Sequence, residues 1–219
     1  MSSLRQLAHD DLKADSLLEA SGEIVSIEFE DLNGQNVEPL IPNYPYEQKN
    51  YKGTVTYEEP VPGNVFTVEP EKYDFEYRDG SGLLIIDSDI SGITSRTIFR
   101  EINKELSVDV GRFNRPQTHR LGTWSFAFSS KDQPKIIARN FDEEKVEWDK
   151  IRDLSQREIA YEYILDRADL VFYYENNRIE VGYENGRLNF TKSTPIGREY
   201  VIQLFEKHAI SGEISPFLE

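Results

Sequence analysis

Residues 82–102 read GLLIIDSDISGITSRTIFREI, and the folding of this stretch decides the architecture around it. Leu83, Leu84, Ile85 and Ile86 form an unbroken aliphatic run, the pattern of a strand covered on both faces. The run delivers Asp87 and Asp89 to the strand's end. Thr94 or Ser95 then offers a capping oxygen for a helix. In that helix Ile98, Phe99, Ile102 and Leu106 fall on one side, while Arg96, Arg100 and Lys104 recur at every fourth position on another. The expectation is a central strand over 83–89 and a helix over 94–107 with an apolar inner face and a cationic outer stripe.

Toward the N-terminus, Asp79-Gly80-Ser81-Gly82 turns YDFEYRD into that strand, and GTVTYEE and NVFTVE read as further strands. Val25, Ile27 and Phe29 alternate ahead of Asn33-Gly34, the strongest short hairpin signal, so two antiparallel strands are expected there. Residues 42–53, PNYPYEQKNYKG, read as a loop with Tyr44, Tyr46 and Tyr51 as aromatic surface. At the start of the chain Ser3 caps an expected helix carrying Leu4, Leu7, Ala8, Leu12, Ala14, Leu17 and Leu18 at near-helical spacing.

Toward the C-terminus, Trp124, Phe126 and Phe128 alternate, which predicts a strand with PKIIARN as its hairpin partner. The charge-dense residues 141–168 predict one long or two short helices, with Val146, Trp148, Ile151, Leu154, Ile159, Tyr163 and Ile164 as inward positions. A three-stranded meander with turns at Glu175-Asn176-Asn177 and Asn185-Gly186 follows, and then an amphipathic helix from Pro195. With Tyr77 laid on Tyr183, an offset of 106 residues, Gly80 falls on Gly186 and Ile98-Phe99 on Leu204-Phe205. This suggests a repeated ββα unit. The fold class is α+β: antiparallel hairpins and meanders packed against three or four helices, with a region over 1–140 and a second over 141–219.

Composition narrows the chemistry. Cysteine is absent, which removes disulfides, thiolate zinc sites and cysteine nucleophiles together. His9, His119 and His208 lie far apart, so any metal must be held mainly by carboxylates. The G-x-x-x-x-G-K, G-x-S-x-G and G-x-G-x-x-G patterns do not occur. No apolar run approaches a membrane span, and the first 20 residues lack a basic segment leading to an apolar core, so cytoplasmic placement is expected.

The net charge of −15 is unevenly spread. Residues 1–95 hold 6 Lys+Arg against 19 Asp+Glu, residues 96–139 hold 9 against 4, and residues 140–219 hold 10 against 17. A basic island therefore sits inside an acidic chain: Arg96, Arg100, Lys104, Arg112, Arg115, Arg120, Lys131, Lys135 and Arg139. Clustered guanidinium groups suit phosphates and acidic partners, while the competing reading has them neutralising the acidic flanks within the fold.

Three functions follow as expectations. The first is a non-catalytic interaction or adaptor protein that uses Arg96, Arg100, Lys104, Arg112, Arg115 and Arg120 to bind a protein partner, or nucleic acid through this island alone, without a cofactor. The second is a divalent-metal phosphoryl-transfer enzyme in which Asp87 and Asp89 hold Mg²⁺ or Mn²⁺ with His119 nearby. In outline the strand and its aspartates resemble the h-h-h-D-x-D opening of nucleotidyl transferases and phosphatases. Ile90-Ser91-Gly92-Ile93 stands where a haloacid-dehalogenase-type phosphatase has Gly-Thr, while QTHRLGTWSFAF places His119 where a primase-like palm has its histidine strand. The third is an acidic mimic of nucleic acid that fills another protein's basic groove.

Overall fold

The computed structural model describes residues 2–7, 25–29, 34–57, 71–87, 95–105, 113–114, 116, 118–184, 186–215 and 218. They form an α+β fold of two antiparallel sheets and helices. The chain divides into two compact units, 1–37 with 46–116, and 38–45 with 117–219.

Unit 1 contains β1 (Ser2–Leu7), β2 (Val25–Phe29), β3 (Gln35–Asn36), β4 (Lys49–Tyr57), β5 (Glu71–Arg78), β6 (Leu83–Asp87), α1 (Ser95–Glu105) and β7 (Phe113–Asn114). The sheet order is β2-β4-β5-β6-β1, with β3 paired to β4 and β7 to β1. Strand β6 is central as expected, with Tyr77 opposite Leu84 on one edge and Leu4 opposite Ile85 on the other. All four aliphatic residues of its run are buried. Leu84 and Ile86 share a core with Val55, Phe75, Tyr77 and the inner face of α1, Ile98, Phe99 and Ile102. The opposite face of β6 buries Leu83 and Ile85.

Two expectations are corrected in this unit. Ser2–Leu7 is strand rather than the start of a helix. A strand buried on both faces needs hydrogen-bond partners on both edges, and β1 supplies the second, so tertiary pairing overrides the local helical spacing. Gly34 adopts φ +63, the backbone of a turn glycine, but among the described residues β2 and β3 on either side of it do not pair with each other. Both β2 and β3 pair with β4. The expected strand over 64–69 lies outside the described residues.

Unit 2 contains α2 (Arg120–Phe128), β8 (Asp132–Arg139), β9 (Lys145–Glu147), α3 (Trp148–Ile151), α4 (Gln156–Glu162), β10 (Ile164–Tyr174), β11 (Asn177–Glu184), β12 (Arg187–Lys192) and α5 (Pro195–Phe205), which runs on as a π-helical turn over Glu206–Ile210. Its sheet order is β12-β11-β10-β8-β9, all antiparallel. The meander and closing helix stand where expected. Glu175 and Asn176 turn the first hairpin with φ +47 and +65, and Thr194 caps α5 ahead of Pro195.

The segment expected as a strand through Trp124 and Phe128 is instead α2. Residues 122–127 are all buried, so no polar face marks a helical period and the large side chains mimic alternation. Trp124 and Phe128 stack one helical turn apart at 5.3 Å. Phe126, on another side, meets Phe172 and Phe205, each at 5.4 Å. Consequently β8 pairs with β10 and β9 rather than with residues 124–128. Residues 141–168 yield two short helices, with β9 ahead of them and the first residues of β10 behind. Ile151 and Ile159 are buried as expected, whereas Leu154 and Ile164 are exposed.

Candidate functional site

Helix α1 is the part of the basic island whose geometry is built for display. Its apolar side is spent on the unit 1 core, which leaves Arg100 and Lys104 pointing outward. Between them sits Glu101, whose side chain is 5% exposed, against 65% for Arg100 and 59% for Lys104. One oxygen, Glu101 Oε1, accepts from Arg100 Nε at 3.0 Å and from Lys104 Nζ at 2.9 Å. Lys104 also donates to Oε2 at 2.7 Å. The Lys104 ammonium, with Arg100 in support, holds the Glu101 carboxyl below the ordinary carboxylate range, against the desolvation that would raise it. The trio carries a net single positive charge, with both cations tethered on one exposed stripe. Arg96 lies on the same helix; its side chain is outside those described, as are Arg112, Arg115 and Leu106.

The remaining described cations of the island belong to unit 2. Arg139 bonds Asp166 at 2.7 Å. Lys131 lies 5.0 Å from the Tyr173 ring centroid and Arg120 lies 5.3 Å from that of Phe141, cation–π distances in both cases. Phe141 is 64% exposed, so the Arg120 contact is on the surface. The island therefore falls into two groups, one in each unit.

The expected metal residues fall in different places. Asp87 ends β6 in unit 1, half-exposed, with its backbone paired to Ser2. Asp89 lies outside the described residues. His119 belongs to unit 2, where it precedes α2 and its ring lies against Gly212. Among the described residues no three His, Asp or Glu gather as a metal site. The tyrosines of the expected aromatic loop are engaged within the chain: Tyr51 stacks on Tyr77 in the unit 1 core, and the Tyr44 hydroxyl donates to Glu206.

One polar cluster went unread in the sequence. Gln203 and Glu206 are fully buried on α5 and its π-helical turn. The signal was present as two polar residues, Gln203 and Glu206, set among the apolar residues of VIQLFE. Nearby, His208 Nδ1 donates to the Glu213 carbonyl at 2.8 Å, and burial pushes the His208 pKa down from the ordinary histidine value.

No protein-family model matches the sequence, and no curated protein shows significant similarity to it. Among the described residues, no helix is long and apolar enough to cross a membrane.

Proposed function

We propose that this is a non-catalytic interaction protein, working in the cytoplasm, that binds an anionic protein or nucleic-acid partner through the outer stripe of α1. The observation that carries this reading is the Glu101 tether. Exposed arginine and lysine side chains normally sacrifice rotamer freedom when they bind. A buried carboxylate that already bonds both cations reduces that loss. Because the chain as a whole is strongly acidic, attraction for anions is local to its basic groups, which favours a partner that presents a compact anionic surface over a long duplex.

Arg100→Gln with Lys104→Gln tests the reading, since the amides keep donors beside Glu101 while removing both charges. Fluorescence anisotropy with a labelled single-stranded oligonucleotide and with a polyglutamate peptide, across a salt series, is the measurement. For the oligonucleotide, loss of two phosphate contacts lowers the slope of log affinity against log salt by about 1.4. Unchanged affinity for both probes, with the melting temperature of the variant preserved, rules α1 out as the binding face.

A further inference from the structure

Residues 38–45, EPLIPNYP, belong to unit 2 although the chain on either side of them belongs to unit 1. They lie along one stripe of α5 and its π-helical turn, formed by Glu199, Gln203, Glu206 and Lys207 at helical spacing. The Leu40 N–H donates to Gln203 Oε1 at 2.7 Å, and Gln203 Nε2 donates to the Glu38 carbonyl at 2.9 Å and to Glu199 Oε1 at 2.8 Å. Lys207 Nζ donates to the Pro42 carbonyl at 2.8 Å and pairs with Glu213 at 3.0 Å, while the Tyr44 hydroxyl donates to Glu206 Oε2.

The backbone groups taken are those of residues 38, 40 and 42. Alternate residues present their polar groups to one side, and capture of one edge of a chain through its backbone is how peptide grooves hold their ligands. Side chains divide in the same sense. Ile41 is buried and Tyr44 half-buried, whereas Pro39, Pro42 and Pro45 are exposed. The prolines therefore fill no core; they fix φ at three of eight positions, so less conformational entropy is lost on docking. On the helix side, a buried amide and a buried carboxylate are costly unless partnered, and segment 38–45 provides partners to both.

We propose that the Glu199–Gln203–Glu206–Lys207 stripe is a peptide-binding site filled in cis by residues 38–45, and that it takes in trans a proline-spaced peptide that turns at the residues matching Pro42 and Asn43, with a tyrosine two residues after the central proline. The cis segment competes at the high effective concentration of a tethered ligand, so the intact protein masks the site until the strap is released. This reading is independent of the α1 stripe.

The test uses the full chain with residues 38–45 replaced by a Gly/Ser segment of equal length, and a fluorescein-labelled peptide of residues 37–46. The replaced chain binds the peptide saturably, at least about tenfold more tightly than wild type does. Adding Gln203→Leu weakens binding about tenfold, because the bonds to Glu38 and Leu40 go, and Phe for Tyr44 in the peptide weakens it by a similar factor. Absence of saturable binding to a folded replaced chain, or indifference to Gln203→Leu, overturns the proposal. If the replaced chain does not fold, hydrogen exchange on wild type decides. The Leu40 amide must exchange at least about tenfold faster than the amides of β11, and exchange only through global unfolding overturns a releasable strap.

Discussion

In the β5–β6–α1 segment a buried carboxylate, Glu101, gathers two cations that remain in solvent; in the β11–β12–α5 segment a buried carboxylate and amide, Glu206 and Gln203, gather the chain's own residues 38–45. The hairpins behind these helices share the plan of their first strand but not their turns: four residues separate β5 from β6, and two separate β11 from β12. Strands β5 and β11 are each eight residues long, with a buried tyrosine seventh in each, Tyr77 and Tyr183, 106 residues apart. Each hairpin closes with a glycine at positive φ, Gly82 and Gly186. The helices then diverge. α1 starts eight residues after β6 ends, whereas α5 starts three residues after β12 ends, so the helix residues that meet each sheet come from different turns. One hairpin-and-helix plan thus supports an outer face left open in one unit and a polar stripe already occupied in the other.

The comparison breaks most readily in the cores. Phe99 and Phe205 lie 106 residues apart, in different turns of their helices, and are both buried, Phe99 against the β4–β5–β6 face and Phe205 against Phe126 and Tyr183. Phe99→Ala and Phe205→Ala should each lower the unfolding free energy by about 3–5 kcal/mol in urea titrations. Trp124 and Trp148, the protein's two tryptophans, lie in unit 2 and report the second directly by fluorescence. A loss under about 1 kcal/mol at either position ends the equivalence of the two cores.

Legibility followed the same division of labour. The Leu83–Ile86 run, the α1 inner face, the meander and the α5 start were all readable, because each pairs a clear hydrophobic period with a turn or cap residue. Ser2–Leu7 and α2 were not. For Ser2–Leu7 the deciding partner, β6, is about eighty residues distant; for α2, burial on every side erases the polar half of the periodicity. The exposure of Arg100 and Lys104 was readable from spacing. The tether was not, since a glutamate among cations on a helix looks the same in sequence whether it is buried or solvated. Gln203 escaped for the converse reason: a polar residue in an apolar run names no partner, and two of its partners, Glu38 and Leu40, lie more than 160 residues upstream.

A smaller effect separates the glycines of the two units. A Cβ on Gly122 would stand 2.0 Å from the backbone carbonyl oxygen of His208, so the close approach of α2 to the π-helical turn depends on that glycine. Gly80, in the β5–β6 turn, would meet the side-chain Cβ of Gln48 at 2.7 Å. A Cβ is fixed by its own backbone, so neither contact can swing aside, but an approach of 2.7 Å needs a much smaller shift than one of 2.0 Å. Gly122→Ala should therefore cost about 2–3 kcal/mol and Gly80→Ala about 1 kcal/mol, measured as shifts in urea midpoint at unchanged slope. Equal losses would mean that α2 is free to shift away from the π-helical turn.

The smallest effect bears on the α1 tether. Hydrogen bonds from Lys104 and Arg100 depress the Glu101 pKa in the folded state, so its charged form is favoured there relative to the unfolded chain. The sign follows: the contribution is fully present above the ordinary glutamate value of about 4.3 and is lost as pH falls through the depressed folded value. Glu101→Gln removes this term, so the stability gap between wild type and variant should be widest near neutral pH, shrink as pH falls below the ordinary glutamate value, and narrow in high salt, because both cations are largely in solvent. Urea titrations of the two proteins at several pH values measure it. A gap that stays constant with pH would mean that Glu101 holds its place by packing alone. Arg100 and Lys104 would then be ordinary mobile surface cations, and the contrast between an organised open face on α1 and a filled one on α5 would lose its first half.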